Sequence, residues 1–206
     1  MKVKIDKETL LKGIQIVQNV VSTKATLPIL SNMLIETRHN TIRLNTTDLD
    51  IGVSCELPVE TVEEGAITIP AKRFSDIVKE LPSGEIIINA KKNQQIDIEG
   101  QKCRFKLIGL PKEEFPKFPD FKNKEPIVLD QKHLKEMIRM TSFAVSHEES
   151  RYVLNGLLMD IKENKMCLVA TDGRRLAKIE KQIQTTMKGD ISVIVPIKAV
   201  QEIYRN

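Results

Sequence analysis

The sequence lacks tryptophan, and its aromatic content of 4% is low for a chain of 206 residues. It has no apolar run approaching the roughly 20 residues of a membrane span, and its first residues have no apolar stretch long enough for a signal peptide. These absences argue against a membrane protein and predict a cytoplasmic one. The three cysteines, Cys55, Cys103 and Cys167, lie far apart with no CxxC pair, so we expect them to be small core residues.

The usual signs of catalysis are missing as well. There is no Gly-rich phosphate loop. Asp48, Asp50 and Asp172 could be imagined as a metal site, but no histidine or glutamate is spaced to complete one, and turn chemistry explains these aspartates more simply. The segment 147–150 (HEES) contains His, Glu and Ser, but adjacent loop residues do not form a relay without supporting groups. We therefore expect a non-catalytic protein with no metal and no cofactor.

The composition that is present is ordinary for a globular protein. Hydrophobic residues make up 41% of the chain and charged residues 29%, and the length suits one or two domains. The formal net charge of +4 permits an anionic partner. On a chain of this length such an excess is weak evidence, so the positions of the cations matter more than their number.

The chain contains an internal repeat. Three blocks recur in the same order at nearly constant spacing, and their matched residues are Asp6 with Asp130, Leu10 with Leu134, Asn32 with Asn155, Asp48 with Asp172, Pro70 with Pro196, and Lys72 with Lys198. Chance similarity rarely keeps both order and spacing. The repeat therefore predicts two related structural units.

Each block has a structural interpretation. The first predicts a helix with an apolar stripe, and Asp6 or Asp130 is placed to accept hydrogen bonds from the amides of its first turn. The second alternates as strand, turn and strand. In the third, a β-rich run reaches a proline and a short helix follows, with Phe74 and Val78 on one face in the first copy and Val200 in the second.

The first copy continues beyond the repeat. Three further strand candidates, EIIINA, QQIDIEG and CRFKLIGL, precede a polar, proline-rich link, PKEEFPKFPDFKNKEP. The second copy ends before the counterparts of these strands. The pattern predicts a piece of a longer repeat protein.

The motifs TLPILSN, TTDLDI, IPAKRFSDI, FPKFPDF, RYVLNG, ATDGRRLA and VIVP, in this order and spacing, make the whole chain resemble the bacterial sliding clamp, the beta subunit of DNA polymerase III. The resemblance implies an α+β DNA-clamp fold in which two helices per domain pack on β-sheets. It places clamp domain one at residues 1–120, a linker at 121–127 and a truncated domain two at 128–206, with domain three absent.

The same resemblance implies a processivity factor, which at full length forms a homodimeric ring around duplex DNA and has no membrane partner. The DNA polymerase catalytic subunit, the clamp loader and repair polymerases are expected to bind domain two through a short linear motif. The alternative is a monomeric, non-catalytic α+β protein that binds nucleic acid through one basic patch.

By motif position, the residues expected to approach DNA are Lys24, Lys72, Arg73, Arg151, Tyr152 and Lys198. A sliding protein should contact phosphates without reading bases, and exposed cations suit that task. Lys72 and Lys198 each stand second after a strand-ending proline, and this repetition favours a function for that pair. Val153 and Glu148 depart from the family pattern, which weakens the case for stacking on bases or sugars at that loop.

The partner-peptide pocket is expected at Leu154, Thr171, Gly173, Arg174, Arg175 and Leu176. Leucines can supply an apolar floor, and the threonine and arginines can supply donors at its edge. Arg174 replaces a histidine that the family often has. A plain hairpin turn explains the same stretch; since the first copy has TTDLDIG there, the Thr-Asp pair is expected to serve the turn.

The subunit interface is expected at the strand CRFKLIGL, with Arg104 and Leu107 as contributors. An exposed strand edge can pair with another chain. The resemblance implies that this edge meets domain three of the other subunit.

Overall fold

The computed structural model of the chain describes residues 1–21, 27–119, 127–148, 150–184 and 189–206. The chain divides into two compact units, Met1–Pro119 and Asp120–Asn206, here called unit one and unit two. Of the linker expected at 121–127, only Ile127 lies within the described residues. No described helix is long and apolar enough to cross a membrane.

Unit one contains two helices and nine strands among its described residues. They are β1 (Lys2–Asp6), α1 (Lys7–Val17), β2 (Asn32–Arg38), β3 (Thr41–Thr47), β4 (Gly52–Pro58), β5 (Glu60–Glu63), β6 (Gly65–Pro70), α2 (Ala71–Glu80), β7 (Glu85–Ala90), β8 (Gln95–Gly100) and β9 (Cys103–Ile108). Two antiparallel sheets result, one in the order β4-β3-β2-β6 and one in the order β5-β1-β7-β8-β9.

The core of unit one consists of apolar residues from both sheets and from the buried faces of α1 and α2. Leu10, Ile14, Phe74 and Val78 are fully buried at the helical spacing that the sequence indicates. Helix α1 lies very close to β4, because a Cβ added at Gly13 would stand 2.4 Å from Leu57 Cδ1. A side chain at that position would push the helix away from the sheet.

Unit two repeats the helices and one of the sheets. Its elements are α3 (Gln131–Thr141), β10 (Gly156–Lys162), β11 (Lys165–Thr171), β12 (Leu176–Gln182), β13 (Ile191–Pro196) and α4 (Ile197–Arg205). The strands form one antiparallel sheet in the order β12-β11-β10-β13. Its order matches that of β4-β3-β2-β6, so the fold is α+β with a repeated helix-on-sheet unit.

The predicted helix caps are confirmed. Asp6 accepts a hydrogen bond from the backbone N–H of Thr9 at 3.0 Å, and Asp130 accepts one from His133 at 2.9 Å. These amide donors lower the pKa of both carboxyls. The two equivalent helices therefore begin in the same way.

Two sequence expectations need correction, and two strands lie beyond what the sequence predicts. Asn32 pairs with Pro70, whereas Gly156 pairs with Pro196, so Asn32 corresponds to Gly156 and not to Asn155. Cys103 is exposed on β9, which lies at the edge of its sheet, so it is not a core residue. Strands β1 and β5 were not expected, because their short segments lie directly beside stronger helix and strand signals.

Candidate functional site

The turn between β11 and β12 is built by Thr171 and Asp172. Thr171 Oγ1 accepts from the N–H of Gly173 at 3.1 Å and donates to the carbonyl of Arg175 at 2.7 Å. Asp172 Oδ1 accepts from the N–H groups of Arg174 at 2.9 Å and Arg175 at 3.0 Å, which lowers the pKa of that carboxyl. The expectation that the Thr-Asp pair serves the turn is confirmed.

Arg175 joins this turn to the segment that follows α3. Its Nε donates to Asp172 Oδ2 at 3.0 Å, and its Nη2 donates to the carbonyl of Phe143 at 2.6 Å. The guanidinium also lies 5.6 Å from the centroid of the Phe143 ring, a cation–π distance. Phe143 was not among the predicted pocket residues, because only the fold reveals this contact over 32 positions.

Arg151 is a second link between the same two segments. A Cβ added at Gly173 would lie 3.2 Å from Arg151 Nη1, and Gly173 has a φ of +86°. Glycine therefore serves here both for its backbone conformation and for the close approach of the arginine. Arg151 Nε also pairs with Glu148 at 3.3 Å. The structure thus places Arg151, expected at DNA, beside the predicted pocket turn.

The segments 142–154 and 171–176, here called the pocket segments, expose several large apolar side chains. Leu176 is 66% exposed, Phe143 57%, Val153 69% and Tyr152 82%. Leu154 is half-buried, and its carbonyl accepts from the N–H of Ser146 at 3.0 Å. An apolar surface with arginines at its edge is the composition of a peptide-binding site.

The face of the unit-one sheet that carries Leu34 is covered by a later segment of the same unit. The equivalent face of the unit-two sheet carries Leu158. Sheet register places Leu34 opposite Thr68 and Leu158 opposite Ile194, so these pairs correspond. Leu34 is 8% exposed and packs with Phe115, whereas Leu158 is 37% exposed. The residues of unit one that cover this surface are Leu110, Phe115 and Phe118.

The backbone joins this covering segment to the sheet of unit one. The carbonyl of Leu110 accepts from both the N–H of Thr68 at 3.1 Å and its hydroxyl at 2.9 Å. In β13 the corresponding residue, Ile194, is 45% exposed. The second copy of this surface is therefore the open one within the part of the chain that the structure describes.

The expected DNA-contacting lysines stand at the starts of two equivalent helices. Lys72 and Arg73 are exposed in the first turn of α2, and Lys198 is exposed in the first turn of α4. Both helices begin after a proline, with no side-chain cap and no acidic residue in the first turn. The N–H of Ile197, the first residue of α4, donates to the carbonyl of Asn155 at 3.0 Å. A helix N-terminus without a side-chain cap and with a nearby cation suits a phosphate group.

Lys7, at the start of α1, has a structural contact. Lys7 Nζ donates to the carbonyls of Lys79 at 2.9 Å and Leu81 at 2.5 Å, at the end of α2. Lys24 lies outside the described residues. Lys7 therefore satisfies a helix C-terminus.

The expected subunit-interface strand, β9, is an edge strand, and its two predicted contributors differ. Arg104 is exposed and binds two carboxylates, with Nη2 to Asp97 Oδ2 at 3.1 Å and Nε to Glu99 at 3.1 Å. Leu107 is 8% exposed and packs in the core of unit one, so its side chain does not face outward. Ile108, at 76% exposed, and Phe105, at 37%, are the large apolar side chains that β9 presents.

Asp97 is a buried charge beside that edge. Its side chain has no exposed area, yet it accepts from Gln95 at 2.9 Å and pairs with Lys91 at 2.8 Å as well as with Arg104. Hydrogen bonds from Lys91 and Gln95 hold the pKa of its carboxyl well below the ordinary range. Sequence reasoning missed Asp97, because its partners come from a turn and a neighbouring strand.

The aspartates considered for a metal site do not form one. Within the described ranges, no group of three or more His, Cys, Asp or Glu side chains is arranged to hold a metal ion. Asp48 Oδ1 instead accepts from the N–H groups of Asp50 at 3.1 Å and Ile51 at 3.0 Å, the same turn geometry as at Asp172. Glu149 of the HEES segment lies outside the described residues.

Comparison with family models gives one consistent result along the chain. The model described as DNA polymerase III beta subunit, N-terminal domain, matches residues 1–119, and that of the central domain matches residues 128–206. Beta sliding clamps are among the relatives. That of Chlamydia muridarum is 40% identical over 205 residues and that of Escherichia coli K12 35% over 206; each match covers 100% of this chain and 56% of the relative.

Solved structures agree with the sequence relatives. The DNA polymerase sliding clamp of Bacillus subtilis has a TM-score of 0.96 at 30% identity, and the DNA polymerase III subunit beta of Pseudomonas aeruginosa has 0.92 at 35%. In both cases the match covers 100% of this chain and 56% of the solved chain. The chain thus spans about half the length of the proteins that it matches.

Proposed function

The chain belongs to the DNA polymerase III beta-subunit family, that of the beta sliding clamps, and on this premise we propose that it acts as a non-catalytic processivity factor. In this proposal it supplies clamp domain one at 1–120 and a truncated domain two at 128–206, out of three domains in a subunit that works in the cytoplasm. Two such subunits close into a ring around duplex DNA. The match of two consecutive domain models along the chain carries the proposal.

Contact with DNA is proposed at the starts of α2 and α4. Lys72 and Lys198 occupy the same position in the two repeats, each beside an uncapped helix N-terminus. Such sites bind phosphate oxygens without distinguishing bases, as sliding requires. Arg73, Tyr152 and Lys24 remain candidates from the resemblance.

Partner binding is proposed at the pocket segments of unit two. Unit one supports the proposal, because Gly52 is the counterpart of Leu176, and a Cβ at Gly52 would lie 2.8 Å from the ring of Phe118 in the segment that follows β9. A surface of this kind binds an extended apolar segment. A short linear motif of a polymerase or clamp loader has that chemistry.

The subunit interface is proposed at the edge of β9, with Arg104 and Ile108 facing outward. The backbone of Leu107 can take part in strand pairing, while its side chain stays in the core. In the proposed ring this edge meets domain three of the partner subunit.

Topological retention on DNA tests the ring. The full-length protein is loaded by a clamp loader on a nicked circular duplex, and the complex is isolated by gel filtration. We expect the protein to stay on the circle and to be lost within minutes after a restriction enzyme cuts it, because a ring slides off a free end. A nuclease-dead version of the same enzyme is the control. Equal retention before and after cutting would instead support the monomeric nucleic-acid-binding alternative.

A further inference from the structure

The charged cluster around Asp97 lies where β8 meets the edge strand β9. Ile96 and Ile98 pack in the core of unit one, so Asp97, which stands between them in the strand, lies on the opposite face of the sheet. Its side chain is nevertheless fully buried. Burial of a charge is costly, and an apolar residue of similar size can serve stability equally well. Stability alone therefore does not account for a carboxylate at this position.

Three donors from three parts of the chain converge on this carboxylate. Lys91, in the turn after β7, pairs with Oδ2 at 2.8 Å, and Gln95, in β8, donates to Oδ1 at 2.9 Å. Arg104, in β9, donates from Nη2 to Oδ2 at 3.1 Å. Asp97 is therefore the acceptor that joins the edge strand to the strand and the turn that precede it.

The Arg104 guanidinium is both fixed and accessible. Its side chain is 56% exposed, yet Nη2 binds Asp97 and Nε binds Glu99, each at 3.1 Å. Two contacts from different nitrogens fix the plane of the group. Among the described residues no contact uses Nη1, so its two N–H donors remain for an oxygen acceptor of another chain.

The two carboxylates differ as anchors for that guanidinium. Glu99 is 42% exposed, and an ion pair between exposed groups is weakened by water and contributes little. Asp97 has no exposed area and is itself held by Lys91 and Gln95. Asp97 is therefore the rigid anchor of the pair.

We propose that Asp97 is a positioning residue for the subunit contact, because it holds the Arg104 guanidinium at the edge of β9 in the orientation in which Arg104 donates to an oxygen of the partner subunit. The inference rests on the proposed subunit interface and adds to it a residue that does not reach the partner. A flexible arginine loses side-chain entropy when an interface immobilises it, and a guanidinium already fixed in the free subunit avoids that cost. The saving corresponds to a roughly two- to ten-fold gain in dimer affinity.

A double-mutant cycle on the full-length protein tests the inference. Sedimentation over a dilution series gives the dimer dissociation constants of the wild type, Asp97→Asn, Arg104→Gln and the double variant. Asp97→Asn should weaken the dimer roughly two- to ten-fold, because its amide lacks the charge that holds the guanidinium. In the Arg104→Gln background the same change should have no further effect, since Asp97 acts through Arg104. An effect of Asp97→Asn that is equally large in both backgrounds overturns the inference.

Two further variants separate positioning from stability. Lys91→Gln removes an ion pair from the same carboxylate but leaves its contact with Arg104, so it should lower stability and leave dimer affinity unchanged. Asp97→Val places an apolar strand former at the buried position, so it should fold and weaken the dimer as Asp97→Asn does. Unchanged dimer affinity in both Asp97 variants overturns the inference. An equal loss in Lys91→Gln also overturns it, because the loss would then follow sheet stability.

Ile108→Asp distinguishes failure of this inference from failure of the proposed interface. A charge at this exposed position should disrupt a dimer that pairs through β9, while unit one stays folded. If Ile108→Asp and Arg104→Gln both leave dimer affinity unchanged, the interface lies elsewhere and the inference falls with it. If both weaken the dimer but Asp97→Asn does not, the interface stands and only the role of Asp97 is refuted.

Discussion

The β3–β4 turn of unit one and the β11–β12 turn of unit two have the same hydrogen bonds, but the residues that pack beside them differ. Thr47 and Asp48 close the β3–β4 turn with the hydrogen bonds that Thr171 and Asp172 make in unit two. Gly52 pairs with Thr47, and Leu176 pairs with Thr171, so Gly52 and Leu176 correspond. A Cβ on Gly52 would lie 2.8 Å from the ring of Phe118. The repeat thus keeps the turn and changes the surface beside it.

The outer face of each sheet shows the same contrast. In unit one Thr68 is fully buried under Leu110, whereas its counterpart Ile194 is 45% exposed. Leu34 and Leu158 differ in the same sense. Among the described residues, the two sheets therefore share one hydrogen-bonded frame, while the covering segment is present only on the sheet of unit one.

Truncating a side chain of the segment that covers the unit-one sheet should have the largest effect on stability. Phe115 is 5% exposed, so Phe115→Ala should lower the free energy of unfolding of unit one by about 3 kcal/mol through lost burial and a residual cavity. Hydrogen exchange measured by mass spectrometry should show faster exchange in β2 and β6, with β10 and β11 unchanged.

Phe143→Ala is the control in unit two. Its ring is 57% exposed and contacts Arg175, so the loss should be about 0.5 to 1 kcal/mol. Equal losses from Phe115→Ala and Phe143→Ala would contradict the distinction between a covered and an open surface.

The next largest effect concerns the buried Asp97, which belongs to the sheet present only in unit one among the described residues. Asp97→Asn should lower the free energy of unfolding by about 1 to 3 kcal/mol at pH 7, because charged hydrogen bonds to Lys91 and Arg104 are weakened. Urea denaturation at several pH values measures this loss.

The sign of its pH dependence follows from the lowered pKa of the Asp97 carboxyl in the folded protein. Its stabilising contribution is complete above the unfolded pKa of about 4 and is lost as the pH falls toward the folded value. The gap between wild type and Asp97→Asn should therefore be widest at neutral pH and narrow in acid. Glu99→Gln is the partly exposed control, and a gap that widens in acid would refute the role assigned to Asp97.

A third effect tests whether the equivalent lysines act alike on DNA. Replacing Lys72 and Lys198 by Gln should each reduce the slope of log affinity against log salt by roughly 0.9, and the double variant by about twice that. Lys7→Gln is the control, since its ammonium binds the end of α2 and its loss should change stability more than the slope. Titrations of a duplex at several salt concentrations give the slopes. Unchanged slopes in the double variant would remove both residues from the DNA surface.

Local signals in the sequence predict much of the fold. Helix caps at Asp6 and Asp130 and the strands around each turn depend on neighbouring residues, so periodicity and capping chemistry indicate them directly. Sequence matching aligned Asn32 with Asn155, one residue before its structural counterpart Gly156, because an apolar strand beside an asparagine fits either register. Only the pairing with Pro70 and Pro196 resolves it.

The candidate site was less accessible from sequence, because its contacts are long-range. Nothing near Arg175 in the chain indicates that it binds the carbonyl of Phe143, and nothing near Leu107 indicates that the core takes its side chain. Motif position identified the residues, and geometry was needed to distinguish their roles.

The smallest effect compares the two turns directly. Asp48→Ala and Asp172→Ala each remove an acceptor of two backbone amides, so each should lower the free energy of unfolding of its own unit by about 1 kcal/mol. Asp172 also binds the side chain of Arg175. Asp172→Ala should therefore weaken binding of a partner peptide, while Asp48→Ala should leave peptide affinity unchanged, because its turn lies outside the unit that carries the proposed pocket. Denaturation and anisotropy on the same two variants measure both quantities. If Asp48→Ala weakened peptide binding as much as Asp172→Ala, the assignment of peptide binding to the turn of unit two would be wrong.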